Sequence, residues 1–579
     1  MAGDNDDSSQ KNIPQNYSQQ ILNPTRVIGS DSRSLSSTDF DNDADIKNAV
    51  SVAHIVSSSQ VATTKPKTFD DLLESVGGFG TFQWLALVLL LSPEIPAAFV
   101  TFSPVFTGRT PSQWQCISND TSQNNVTSTW LSSEEACDCQ GKLVTDYSSI
   151  VTEWSLNCGS SWVSDFVTSI QMLGMLTGSL AASQISDWFG RKRVYLGVCF
   201  LMGVGQLLSS ISPNAILYGI ARFICGAGIS GFMGLSTIYP MEFLTPKYRM
   251  LTGGVGPWGE GIMLLALLSY HFTEWRTLVW ITALPFVLVF ISVPFLPESP
   301  RWLLRNQRLK EAVKAIKTIQ RINSASCFKN KGNRQQVQVT EELLEKIAME
   351  ELQQQSDSTT RFSYVEFFRN DSLRRKTLIL MGIWCSWALV YFGISYNIKN
   401  LGGDIHVNMA MLGLSDAIGY RTSLLLCNRI GRRKSLILFM TLGAVFLVSL
   451  AVSDIFFVLS STIVIILCFT GKIGVAAARS AARMLTGESF PTSVRTMGYG
   501  ITGVAAGVGG ILSPQIVLFG SLWWSPLPFV TFGVLSILGS VLSLLLPETA
   551  GQSLQDTVTT RCQAKSNKLE ENLDKSVGV

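Results

Sequence analysis

The chain has 579 residues, of which 46 % are hydrophobic and only 15 % charged, with a formal net charge of +3. Soluble domains carry about 25 % charged residues, and here the charges gather between long apolar runs, so a soluble globular chain is excluded and a polytopic membrane protein is implied. The basic residues sit in short turns, which excludes a nucleic-acid surface.

Residues 1–68 are rich in Ser, Asp and Asn and poor in aromatics, which predicts a disordered cytoplasmic tail. No signal-peptide pattern precedes the first apolar segment. That segment, roughly 81–106, is broken by Pro93 and Pro96. A polar loop at 107–160 follows, holding Cys116, Cys137, Cys139 and Cys158 and the sequons that begin at Asn119 and Asn125. Four clustered cysteines and two sequons predict an oxidised, glycosylated loop on the lumenal or extracellular face, with the cysteine pairing open.

Further spans centre on 161–186, 194–212, 215–239, 251–270 and 276–296, which completes a six-helix half at 69–296. Residues 297–376 are polar and carry amphipathic stretches such as Leu309 to Ile322, predicting a cytoplasmic loop between halves. Six more spans, near 377–397, 404–427, 435–453, 456–486, 496–519 and 528–546, form a second half at 377–546 before a polar tail at 547–579. The turns at 191–193, 247–249 and 429–434 carry Arg and Lys, whereas those near 212–216, 454 and 520–527 carry no basic residue, so both termini are placed in the cytoplasm.

The halves repeat each other. Asp187-Trp188-Phe189-Gly190-Arg191-Lys192-Arg193 returns as Asn428-Arg429-Ile430-Gly431-Arg432-Arg433-Lys434, an offset of 241 residues from Asp187 to Asn428. Glu242 and Arg249 return as Glu488 and Arg495 after 246 residues, and Pro297-Glu298-Ser299 as Pro547-Glu548-Thr549 after 250. Ordered landmarks at nearly one offset mark a duplicated bundle, as in transporters built from repeats. Arg191 and Arg432 stand at helix ends, where pairing with acids such as Asp187 would latch a cytoplasmic gate; plain basic-side topology explains the same residues.

With these turns, the stretches Ile150-Val151-Thr152-Glu153-Trp154-Ser155-Leu156-Asn157-Cys158, Pro297 to Leu303 and Asn400-Leu401-Gly402-Gly403-Asp404-Ile405 make the sequence resemble the organic cation, organic anion and carnitine transporter family of solute carriers, within the major facilitator superfamily. The resemblance runs from about Phe69 to Thr557. It implies an all-α, twelve-helix bundle of two pseudo-symmetric halves, a small organic ion as substrate and the plasma membrane as the site; the sequence itself has no Walker A loop, no Cys/His metal spacing and no nucleophile elbow, which predicts no cofactor, metal or catalytic role. It also implies a central cavity lined by the first, fourth, seventh and tenth spans, with the fifth, eighth and eleventh contributing. Asn428 stands where the family usually has Asp, and Gly507 where cation carriers often have Asp and anion carriers Arg.

An ionisable group inside a span costs several kcal/mol unless paired or hydrated, so each is a candidate site residue. Six are read here: Glu94, Glu260, Asp416, Arg421, Arg479 and Arg483. Asp416 falls where cation carriers of the family usually have Glu, whereas Arg479 and Arg483, four apart on one helix face, suit an anionic group. Trp384 and Tyr391 could hold an organic cation, and Lys472 reads as a helix-end charge. Glu94 or Glu260 pairing with the arginines across the halves is the structural alternative. The weight of the resemblance tilts toward organic cations, with an anion or zwitterion carrier and a transport-inactive receptor as alternatives. Gly226-Ala227-Gly228-Ile229-Ser230-Gly231 has dinucleotide-loop spacing but lies inside an apolar run, so it predicts close helix packing.

Overall fold

The computed structural model describes residues 69–549 apart from 112, 121–124, 133–134, 140–141, 146, 326–338, 354–363, 457–459, 491–493 and 525. The tail expected at 1–68, nearly all of the one at 547–579 and parts of the loop at 297–376 lie outside the described residues.

Among the described residues, eleven helices are long and apolar enough to cross a bilayer. Thr81–Thr107, Cys158–Phe189, Arg191–Ser210, Ala215–Met241, Pro246–His271 and Trp275–Phe295 fill the first half. Leu373–Tyr396, Arg432–Phe456, Thr462–Ser489, Arg495–Gly520 and Leu527–Leu544 belong to the second. A helix of matching length, Ile405–Ile430, carries Asp416, Arg421 and Arg429 and takes the eighth place, so twelve spans stand in the expected order. The first is interrupted where Thr81–Leu91 gives way to Glu94–Thr107: Pro93 is the break, while Pro96 sits within the opening turn of the second piece. The fifth is interrupted at Val255-Gly256-Pro257, between Leu251–Gly254 and Trp258–His271.

The halves meet along the second and eleventh spans and along the fifth and eighth. Small residues make these approaches possible. A Cβ on Gly507 would stand 2.7 Å from Leu176 Cβ, so in this arrangement the eleventh span has no room for a side chain there. The Gly226 to Gly231 stretch packs as expected: a Cβ on Gly228 would come within 2.6 Å of Met202 Cγ, and one on Gly231 within 2.7 Å of Ala182 Cβ.

The membrane body is all-α, and the polar loop adds a feature not anticipated: a three-stranded antiparallel sheet of Gln113–Asp120, Asn125–Ser132 and Lys142–Val144, with the first strand central. Disulfides join Cys116 to Cys139 and Cys137 to Cys158, which settles the pairing. Asn119 and Asn125 stand at the tip of the hairpin, opposite Val126 and Asp120. The loop is tied to the helices by Glu153, which accepts from Trp275 Nε1 at 2.8 Å and pairs with Arg276 at 2.6 Å.

At the opposite end, Leu309–Ala325 buries Ala312, Val313, Ile316 and Ile319, the one-faced spacing expected of an amphipathic helix. Its Asn323 accepts from the Phe82 amide at 2.9 Å and so caps the first span. The short helix Phe69–Ser75 is held there by Asp70, which pairs with Arg301 and with Arg249, the latter at 3.0 Å. Burial disfavours the charged Asp70, yet Arg301 and Arg249 together hold its carboxyl below the usual range.

Candidate functional site

A space of about 650 Å³, part of it open to solvent, lies between the halves. Its walls come from the second, fourth, seventh, tenth and eleventh spans; the second takes the place expected of the first, and the fifth and eighth stand behind. Of the residues singled out from the sequence, Trp384, Arg479, Arg483 and Gly507 face this space, and no acidic side chain does among its described lining residues. Trp384 donates to Thr486 Oγ1 at 2.9 Å and Trp387 to the Val475 carbonyl at 2.9 Å, so both rings are fixed from behind.

The two arginines, one helical turn apart, have different partners. Arg483 stands 3.8 Å from Glu94 Oε1, an ion pair that joins the halves and is nearly sealed from solvent. The carboxylate of Glu94, in the first turn of its helix, fits because position 256 is glycine: a Cβ there would be 2.6 Å from Glu94 Cδ. Arg479 reaches Tyr420 Oη and lies over the rings of Trp258 and Tyr420, 4.7 Å and 5.6 Å from their centres. Among the described residues no carboxylate pairs with it. Glu260, by contrast, pairs with Arg421 in a second bridge between halves whose side chains are 38 % and 44 % exposed.

Asp416 and Tyr391 lie beside the cavity and are fully buried. Tyr391 donates its hydroxyl to Asp416 Oδ2 at 2.5 Å and accepts from Trp258 Nε1 at 2.9 Å. Lys472, read from the sequence as a helix-end charge, is instead completely enclosed, 3.9 Å from Asp416 and 3.2 Å from the centre of the Tyr391 ring. A further buried cation escaped the sequence reading. Arg222, in the fourth span, donates to Ser103 Oγ at 2.8 Å and Gln206 Oε1 at 3.1 Å. Its place in the apolar run 215–239 was the available signal. On the polar-loop side the cavity is closed by Phe102, packed against Trp258 and Tyr396, and by Tyr396 bonding the Thr101 carbonyl at 3.0 Å.

The basic turns are built alike in both halves. Gly190 and Gly431 each have φ of +100°, a conformation that favours glycine. Each leads into a helix whose first amides are capped by a carboxylate from beyond the half's last span. Glu298 accepts from Arg191 N at 2.9 Å and Lys192 N at 3.1 Å; Glu548 accepts from Arg432 N at 2.8 Å and Arg433 N at 3.3 Å. These two acids are the repeated Pro-Glu motif, to which the sequence reading gave no role. Arg191 pairs with Asp187 at 2.7 Å and Glu242 at 3.3 Å, and Arg432 with Glu488 at 3.3 Å. In the first half the acid and arginine seven apart serve other partners, Glu242 joining Arg191 and Arg249 joining Asp70. Asn428 brings no charge to the second turn. The pairs just named lie within one half; Arg191 also donates to Thr496 Oγ1 across the halves at 3.3 Å.

A family model described as sugar (and other) transporter matches residues 107–559. An organic cation transporter protein of Drosophila melanogaster is 32 % identical over 530 residues, covering 85 % of this chain and 94 % of that one. Organic cation/carnitine transporter 2 of Mus musculus is 28 % identical over 557 residues, covering 87 % and 95 %. The solved structure of the proton:xylose symporter XylE bound to 6-bromo-6-deoxy-D-glucose shares the fold, with a TM-score of 0.61 at 14 % identity over 82 % of this chain and 98 % of that one.

Proposed function

Because this chain belongs to the organic cation, organic anion and carnitine transporter family of the major facilitator superfamily, we propose that it carries small organic ions across a bilayer by alternating access, with a preference for ions that bear a carboxylate. The observation that carries this reading is the cavity wall, which presents Arg479 and Arg483 beside aromatic rings and no acid among its described residues. An organic cation leaving water needs an opposite charge to offset its desolvation. The candidate for that role, Asp416, is enclosed behind Tyr391 and Lys472, so the tilt toward cations finds no support in the wall. A planar guanidinium in a low-dielectric pocket suits a carboxylate, and the indoles of Trp384 and Trp387 suit an aromatic or aliphatic body.

In this reading the two halves rock about the cavity, and Glu94 holds Arg483 until substrate arrives. The polar loop faces the outside of the plasma membrane, glycosylated at Asn119 and Asn125, with both termini cytoplasmic. Uptake in expressing cells of tetraethylammonium, N-benzoylglycine and glycine betaine tests it. Saturable uptake of N-benzoylglycine, reduced at least tenfold by Arg479→Gln at equal surface expression, is the expected result. Saturable uptake of tetraethylammonium alone, untouched by Arg479→Gln, would overturn the preference. No saturable uptake of any probe would favour a transport-inactive receptor.

A further inference from the structure

Asp416 is wholly buried in the eighth span and is absent from the cavity wall. Its two oxygens are treated unequally. Oδ2 takes the Tyr391 hydroxyl at 2.5 Å, whereas Oδ1 has no hydrogen-bond partner among the described residues, and Lys472 Nζ comes only to 3.9 Å. The ammonium spends its donors elsewhere, on Ser395 Oγ at 2.6 Å and the Tyr391 carbonyl at 3.1 Å. A buried carboxylate with one bare oxygen is costly as it stands, and that oxygen is where a proton would add without displacing any bond. The other charged or titratable groups around this site among the described residues are Arg479 and the buried Cys468 thiol of the tenth span, Tyr420 on the helix of Asp416, and, further off, the bridges Glu94 to Arg483 and Glu260 to Arg421.

The same carboxylate reaches the other half through one relay. The Trp258 indole in the fifth span donates to the Tyr391 hydroxyl at 2.9 Å, and that hydroxyl gives its single proton to Asp416. A hydrogen bond to an ionised acceptor is roughly twice as strong as a neutral one. Neutralising Asp416 therefore weakens the relay that ties the fifth span to the seventh and eighth, at the level where Phe102, Trp258 and Tyr396 close the cavity.

We propose that Asp416, Tyr391 and Lys472 form a proton-binding site that couples substrate movement to a pH gradient. A proton from water on one side binds Asp416 Oδ1, the halves part at the Trp258 to Tyr391 hydrogen bond, and the same proton returns to water on the other side; no other covalent bond forms or breaks. Carried with a carboxylate, one proton makes the cycle electroneutral. That last point rests on the anion preference above, and the proton site itself does not.

The test uses purified full-length protein in liposomes. Wild type is expected to accumulate labelled N-benzoylglycine by up to about tenfold across a gradient of one pH unit at one proton per cycle. The readout is the ratio of accumulation with and without the gradient, so a change in basal rate does not enter. Asp416→Asn, the shape of the protonated acid, and Tyr391→Phe, which keeps the acid but cuts its relay to Trp258, are each expected to bring the ratio to one. A wild-type ratio of one, or a wild-type ratio retained in either variant, overturns the proposal. If N-benzoylglycine is not carried at all, the anion reading has failed, and tryptophan emission decides the proton site separately. On acidification wild type is expected to move toward the Asp416→Asn spectrum while that variant stays constant; the same response in both overturns the site.

Discussion

Among the described residues two ion pairs join the halves, and replacing the acid in each should have unequal consequences. Glu94 and Arg483 have side-chain exposures of 4 % and 7 %, against 38 % for Glu260 and 44 % for Arg421. Removing one partner of a buried pair strands a charge and costs about 3 to 5 kcal/mol, whereas a half-exposed pair contributes about 0.2 to 1 kcal/mol. Glu94→Gln should therefore destabilise the protein several-fold more than Glu260→Gln. The chain supplies its own reporter: the free thiols of Cys199, Cys225, Cys427 and Cys468 are buried and should react only on unfolding, above the background of the half-buried Cys385. A thiol-reactive fluorophore followed during a thermal ramp, at one scan rate for all variants because membrane-protein unfolding is commonly irreversible, gives apparent midpoints. Glu94→Gln should lower the midpoint by several degrees and Glu260→Gln by about a degree or less. Adding Arg483→Gln to Glu94→Gln should restore part of the loss, since the stranded cation is gone. Equal shifts for the two acids, or no restoration in the double variant, would refute a buried pair at this position.

Asp187→Asn removes the 2.7 Å partner of Arg191 but leaves Glu242, so turnover should fall by up to about tenfold, or 1.4 kcal/mol, at near-normal surface expression; unchanged kinetics would leave the turn a topological role only. Asp70→Asn should release the Phe69–Ser75 helix, read as faster hydrogen exchange of its amides. Because the carboxyl of Asp70 titrates below its ordinary value, its contribution should be full above about pH 4 and be lost only as the pH falls through the lowered value; release already at neutral pH in wild type would contradict it. Glycosidase should increase the mobility of wild type on a gel but not of an Asn119→Gln, Asn125→Gln double variant, and an equal shift in both would move the modification elsewhere.

The twelve spans, their duplication and the amphipathic helix at Leu309 were legible because each rests on spacing along the chain. The sheet left a weaker trace, an alternation of polar and apolar residues through Gln113-Trp114-Gln115-Cys116, easily lost beside four cysteines and two sequons. Charges were found where they interrupt an apolar run conspicuously, as Asp416 does. Arg222 was missed because it lies nearer one end of its run, where a charge usually reaches water, whereas Lys472 stands near the middle of 456–486 and was misread as a helix-end charge. What no one-dimensional reading supplies is the partner. Glu94 and Arg483 are separated by most of the chain, and only the packing of first span on tenth turns two candidate binding residues into a bridge. Nor could spacing tell that Asp416 stands behind the cavity wall and Arg479 in it, since both lie mid-helix.

The capping of Arg191 by Glu298, matched by Glu548 at Arg432, bears on how motion is shared out in this protein. Each carboxylate follows the final span of its half and grips the start of that half's third helix, so each set of six helices is closed on itself like a clasped bracelet. A bracelet that keeps its own clasp can be turned as one piece. The seam between the two is then free to be a sliding fit of glycine and small side chains, remade on every stroke without unlocking either ring.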